Sequence, residues 1–260
     1  MRNGALLPET QKVSSMNTTS YSGGVAVTAD GVIGRIEFWS NKGNALSYSV
    51  LTELAVAVRE LSARTELTAI SLSSRGDGAF CGGAYLEETK GEGAPPADQN
   101  VFSGFADLIL ALTRSPKIVV ARVHGKIVGG GVGVVSACDL AVAFNEASVR
   151  LSELSLGLGP FVIGPAVERR IGRASFGALS LDGLWRDASW GERHGLFSFV
   201  ETSIESVDAR VLELETRFRS YQPEVIANWK KLLWSDTEHW EALLPARAKQ
   251  VTEIAHKRSI

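Results

Sequence analysis

Apolar and polar positions change period several times along the chain, and each change predicts an element. Val25–Thr28 and Val32–Trp39 read as strands with a turn at Asp30-Gly31 between them. Leu51, Leu54, Val58 and Leu61 then fall on one face of a helix. Alternation returns over Thr68–Ser73, and residues 74–84 form a glycine-rich loop leaving that strand. Phe102, Phe105, Ile109 and Leu112 mark a second amphipathic helix, followed by an apolar strand over Ile118–Val123. A glycine cluster at 127–133 opens a short helix, and Leu140–Phe144 is the next strand. Strand, helix and strand in this order predict an α/β fold of right-handed parallel crossovers. The two strand-exit loops, around Gly83 and around Gly130, then open on the same side of the sheet, where they can share one site.

The flanks have a different texture. Residues 1–24 lack periodicity and read as a loose leader; the segment 88–99, with Gly91, Gly93, Pro95 and Pro96, reads as a mobile loop. From about residue 201 the chain is helical, over Glu205–Tyr221, Pro223–Trp234 and Glu238–His256. Pro245 is expected to kink or break the last helix. Trp229, Leu232, Leu233, Trp240, Leu243 and Leu244 supply an apolar surface that either contacts another copy or folds back on the chain's own core. The predicted organisation is a leader (1–24), a core (25–200) and a helical C-terminal region (201–260).

Composition narrows the function classes. With 260 residues, 45 % hydrophobic and 22 % charged, the chain can bury a sizeable core. A net charge of −2 gives no global case for nucleic acid or an anionic membrane. Cys81 and Cys138 lie in apolar, glycine-rich settings, which suits unpaired thiols in a reducing compartment. No Cys/His spacing suggests zinc, and no apolar run is long enough to span a bilayer. A cytoplasmic location is expected.

The glycine cluster, Gly129-Gly130-Gly131-Val132-Gly133, carries the candidate chemistry. A helix start leaves backbone N–H groups free, and glycine lets a ligand approach them closely. Such a site can hold a phosphate or the negative oxygen that develops on a thioester carbonyl. The phosphate reading takes Gly131-Val132-Gly133-Val134-Val135-Ser136 as a dinucleotide fingerprint, with Glu153 twenty residues after Gly133 as the ribose acid. Against it, the third glycine is missing and two strand–helix units precede the motif.

Five blocks in order resemble the enoyl-CoA hydratase/isomerase (crotonase) superfamily. They are Ser71–Glu87; Val123-His124-Gly125 with the glycine cluster and Ala137-Cys138-Asp139-Leu140; Leu151–Pro160; Arg170-Ile171-Gly172-Arg173; and Glu192-Arg193-His194-Gly195-Leu196. The resemblance implies a spiral of ββα turns with a helical C-terminal region that builds homotrimers, often paired into hexamers. It implies an acyl-CoA thioester substrate and no cofactor beyond that coenzyme A. Backbone N–H groups of Ala84 and Gly130 would form the oxyanion hole, each contributing about 3 kcal/mol to lowering the barrier. Glu153 would be the catalytic acid or base, its pKa raised by an apolar setting. Gly83, Tyr85, Gly129, Gly133 and Pro160 would face substrate.

Two departures stand out. Paired-acid hydratases carry a second glutamate where this chain has Gly133, and many members have Asp where it has Tyr85. Glycine at 133 and the bulky apolar stretch Pro160–Gly172 are similar to bacterial methylglutaconyl-CoA hydratase-like members. A hydro-lyase of that kind is therefore the leading expectation. Its rivals are a single-base enoyl-CoA isomerase, a non-catalytic acyl-CoA binder and, from the fingerprint, a nucleotide-dependent oxidoreductase. Asp139 and His124 read as turn residues and His194 as a helix cap. Arg75, Lys126 and Lys249 are candidates for the coenzyme phosphates.

Overall fold

The computed structural model describes residues 20–89 and 95–257. Strands β1 (Gly23–Asp30) and β2 (Ile33–Ser40) form an antiparallel hairpin whose register closes at Asp30 and Ile33. The tight loop needs Gly31 at φ +58°. Gly23 and Gly24 therefore belong to a strand, and the expected leader keeps only residues 20–22 within the described chain; residues 1–19 lie outside it.

From β2 onward one unit repeats: a long strand, a short strand, a helix. The first adds β3 (Ala45–Leu46) and α1 (Tyr48–Ala63) to β2. The second is β4 (Ala69–Ser74), β5 (Gly83–Ala84) and α2 (Val101–Arg114). The third is β6 (Ile118–Val123), β7 (Ile127–Val128) and α3 (Gly130–Ala137). The fourth is β8 (Leu140–Phe144), β9 (Ser148–Arg150) and α4 (Gly164–Ile171). Then follow α5 (Arg173–Asp182), β10 (Arg186–Asp187), α6 (Ala188–Arg193) and β11 (Phe199–Glu201). Long strands pair in the order β1-β2-β4-β6-β8-β11, parallel from β2 on, while the short ones form β10-β9-β7 and β3-β5. This is the expected ββα spiral.

The predicted helix faces are buried. Leu51, Leu54, Val58 and Leu61 of α1 are at most 2 % exposed and meet α2, whose Phe105, Ile109 and Leu112 are equally covered. Ser47 caps α1 by accepting the Val50 N–H, and Asn100 caps α2 in a box with Ser103. Cys81 and Cys138 are buried and unpaired, and burial pushes both thiols up to about 12. The mobile loop expected over 88–99 falls partly on residues 90–94, outside the described chain; its start, Leu86–Thr89, is a short 3-10 turn.

The C-terminal helices are α7 (Ile204–Phe218), α8 (Pro223–Leu233) and α9 (Trp240–Lys257). Pro245 does not break α9, contrary to expectation. Trp240, Leu244, Ala248, Val251 and Ala255 form one buried stripe against the core, whereas Pro245 is exposed. The Glu241 carbonyl that loses its helical donor therefore lies toward water, where hydration offsets the loss. The apolar surface divides: Trp240 and Leu244 fold back on the chain's own core, while Trp229 and Leu232 are exposed on α8.

Asp139, just past the end of α3, accepts from the Val119 N–H (2.7 Å), the Lys230 Nζ (2.6 and 2.7 Å) and the Trp234 Nε1 (3.2 Å). It ties α8 to the sheet, a structural role as expected. His194 caps α6 and its Nδ1 sits 2.9 Å from the Ser175 hydroxyl.

Candidate active site

Two glycine loops are stitched edge to edge. The Cys81 N–H donates to Lys126 O (3.2 Å) and the Val128 N–H to Cys81 O (2.9 Å). Gly83 takes φ +86°, and a Cβ there would lie 2.9 Å from Val128 O and 3.4 Å from the Gly130 nitrogen. A side chain at 83 would thus push the loops apart. Ala84, the next residue, is held beside the start of α3. Gly130 is the first residue of that helix, so its N–H belongs to the set with no intrahelical acceptor.

Packing explains most of the cluster's glycines. A Cβ at Gly130 would lie 2.3 Å from the Phe105 ring, one at Gly131 2.7 Å from the Cys81 Cβ, and one at Gly133 2.6 Å from the Ile163 Cγ2. Gly131 and Gly133 are pressed against protein, and Glu153 precedes a 3-10 turn (Leu154–Leu156) rather than ending a strand. The dinucleotide fingerprint is therefore overturned: its glycines serve close packing of helix against neighbours.

Glu153 faces the helix start. Its Oε1 lies 3.1 Å from where a Cβ on Gly129 would be. The residue as a whole is half-buried, but its Oε2 is out of reach of solvent and has no hydrogen-bond partner. Burial pushes the carboxyl up to about 7, against a smaller pull from the backbone N–H groups of Glu153 and Ser152. A carboxyl poised there both accepts and donates a proton near neutral pH.

These groups line one cleft with about 600 Å³ of empty space, its open mouth included. Leu86, Phe102, Phe105, Leu158, Phe161 and Val162 make its walls apolar, and Glu153 is the sole ionisable side chain among the described lining residues. Of the residues singled out by sequence, Gly83, Ala84, Gly129, Gly130, Glu153 and Pro160 line the cleft. Tyr85 and Gly133 are not among its lining residues. The Tyr85 ring packs on Tyr21 at 4.6 Å between centroids, on the other side of its short strand. Gly133 is covered by Ile163 and Ile109.

Sequence reasoning missed Val251 as a cleft residue, because it arrives from α9 with no local signal. None of the three proposed phosphate-binding cations lines the cleft. Arg75 is engaged by Glu37 (2.6 Å) and stacks on Trp39, Lys126 lies over the Trp185 ring, and Lys249 is exposed on α9. His124 is buried with both ring nitrogens unpartnered and does not line the cleft; burial, then Arg122, hold its pKa below the usual range.

Residues 28–259 match the family described as enoyl-CoA hydratase/isomerase. A probable enoyl-CoA hydratase of Bacillus subtilis (strain 168) is 27 % identical over 235 residues, which span 88 % of this chain and 89 % of that protein. Among solved structures, an enoyl-CoA hydratase from Bacillus halodurans superposes with a TM-score of 0.83 at 22 % identity, covering 91 % of this chain and 96 % of the other. That likeness bears on the fold alone. Pseudomonas aeruginosa AtuE superposes with a TM-score of 0.76 at 28 % identity over 89 % and 91 % of the two chains.

Proposed function

The chain belongs to the enoyl-CoA hydratase/isomerase family, and from that premise we propose that it transfers a proton along an enoyl-CoA thioester with one carboxylate as the only side-chain acid and base. One observation carries this reading: among the described residues Glu153 is the lone ionisable group lining the cleft, with Oε2 unpartnered. The thioester oxygen accepts hydrogen bonds from the Ala84 and Gly130 N–H groups. As the Glu153 carboxylate removes a proton from C2 of a 3-enoyl ester, the electron pair moves onto that oxygen, and the two donors stabilise the enolate. The carboxylic acid so formed returns the proton at C4, giving the conjugated 2-enoyl ester. No water enters or leaves. A carboxyl near pH 7 in its affinity for protons serves both half-steps.

A second reading is a hydro-lyase of the methylglutaconyl-CoA hydratase kind, with Glu153 alone positioning water. A hydro-lyase would take its acyl group against Phe161, Val162 and Ile163 of the turn Pro160–Gly164, which suits an alkyl-ended ester better than methylglutaconyl itself. The exposed α8 face, with Val225, Trp229 and Leu232, supports self-association as a homotrimer or hexamer; light scattering tests that separately.

The deciding experiment incubates the protein with a panel of 2-enoyl and 3-enoyl thioesters in deuterated water, following conjugated-enone absorbance and product mass. Gain of conjugation with no added water supports isomerisation, and retention of the substrate's own proton marks direct transfer by one carboxyl. Addition of one water supports the second reading. Tight binding without turnover, unchanged by Glu153→Gln, overturns both and leaves a non-catalytic binder.

A further inference from the structure

We infer that Ile163 is the specificity-determining residue of this cleft, and that the acyl group it selects is an uncharged hydrocarbon. The inference rests on the acyl-CoA reading above but not on which reaction follows. Gly130 and Gly133 are three residues apart on α3, so they share a face about 4.5 Å apart along the axis. The Phe105 ring covers that face at Gly130 and Ile163 covers it at Gly133, so an acyl chain held by its carbonyl at the Gly130 N–H runs past Phe105 towards position 133. There it meets Ile163. A Cβ on Gly133 would lie 2.6 Å from the Ile163 Cγ2, 2.7 Å from its Cβ and 3.4 Å from the Ile109 Cδ1. The isoleucine, only 4 % exposed, fills the space that a side chain on residue 133 would need, and it also lines the cleft. The place of a second acid is taken by a hydrocarbon wall.

Charge points the same way. No lysine, arginine or histidine is among the described residues lining the cleft, and its one charged group is Glu153. A carboxylate at the far end of the acyl group would be buried without a counter-charge beside a second carboxylate, which is costly on both counts. The described lining therefore favours alkyl-ended acyl groups over those ending in a carboxylate, which sets this inference against methylglutaconyl as the substrate of the second reading. Truncating Ile163 removes the stop between the cleft and Ile109 and admits a longer chain.

The test compares wild type, Ile163→Val and Ile163→Ala on a ladder of alkyl-ended enoyl thioesters and one ester of matched length ending in a carboxylate. In Ile163→Ala the kcat/KM ratio of longer to shorter esters is expected to rise about tenfold or more, with Ile163→Val between. The carboxylate-ended ester should be at least about tenfold worse than its alkyl counterpart in wild type. An unchanged length preference in both variants, or equal use of the charged ester, overturns the inference. Competition binding of unreactive saturated acyl-CoA esters gives the same comparison without turnover. If wild type converts no ester yet the saturated ladder still shifts with Ile163, the catalytic reading fails and this one stands. If the saturated ladder does not shift, this one fails whatever the catalysis.

Discussion

Two acids lie at opposite ends of one short helix and have opposite surroundings. Asp139, past the C-terminus of α3, is saturated by Lys230, Trp234 and the Val119 N–H. Glu153, opposite the N-terminus, has an oxygen shut away from solvent with nothing to bond. Burial lifts the Glu153 carboxyl to about 7. A buried charge that the fold has paired is part of the scaffold. One that the fold leaves unpaired costs stability, and such a cost at a cleft beside free N–H groups marks chemistry.

The sharpest way to break this contrast is Glu153→Gln. It should lower turnover by about 10²–10⁴-fold, the usual contribution of a positioned acid–base group, while leaving the fold intact. Steady-state kinetics with thermal melts in parallel would read both. A variant that loses stability in step with activity would move Glu153 to the scaffold side.

Lys230→Met makes the opposite demand. It strands the Asp139 carboxylate in a nearly covered site, where the Asp139 and Lys230 side chains are 9 % and 3 % exposed. Urea unfolding should show a loss of about 3–5 kcal/mol, the range for breaking a buried pair from one side. The surviving folded fraction should keep its KM, because neither residue lines the cleft. A large KM change with little loss of stability would mean that the helical C-terminal region shapes the site directly.

pH tests the Glu153 side of the contrast. The folded pKa of Glu153 lies above its ordinary value of 4.5, at about 7. Below 4.5 the group is protonated folded and unfolded, so it costs nothing. As pH rises the unfolded chain ionises first, and the penalty grows until both states are ionised above about 7. Wild type should therefore lose stability relative to Glu153→Gln across that window, by at most about 3 kcal/mol, and the gap should be flat above it. Denaturation midpoints of the two proteins at matched pH values test this. A gap that shrinks as pH rises would show that the carboxylate is stabilised by a partner after all.

How far this contrast was legible in the sequence depends on the range of the interactions. The strand–glycine–helix junction at Gly130 and the return of the chain at Gly83 are local, and their residues announce them. Glu153 is legible because the blocks around it keep their order. What sits on Gly133 is not, because Ile163 reaches it only once α4 docks on α3. Val251 enters the cleft from a helix more than a hundred residues away. Local rules make Pro245 a helix breaker, and α9 continues through it because its outward position lets packing on the other face prevail. The placing of Tyr85 follows from alternation: Ala84 lines the cleft, and the next residue in an extended chain points to the opposite side.

That geometry gives the smallest expected effect. Tyr85→Phe removes the phenolic oxygen while keeping the ring that stacks on Tyr21 at 4.6 Å. With the side chain outside the cleft, kcat/KM should change by less than about twofold and stability by no more than about 0.5 kcal/mol. Kinetics and melts on the same preparation check both. A tenfold drop in turnover at unchanged stability would bring the phenol to the substrate. Glu153 would then have a second proton carrier across the cleft, and its unpaired state would no longer set it apart from Asp139.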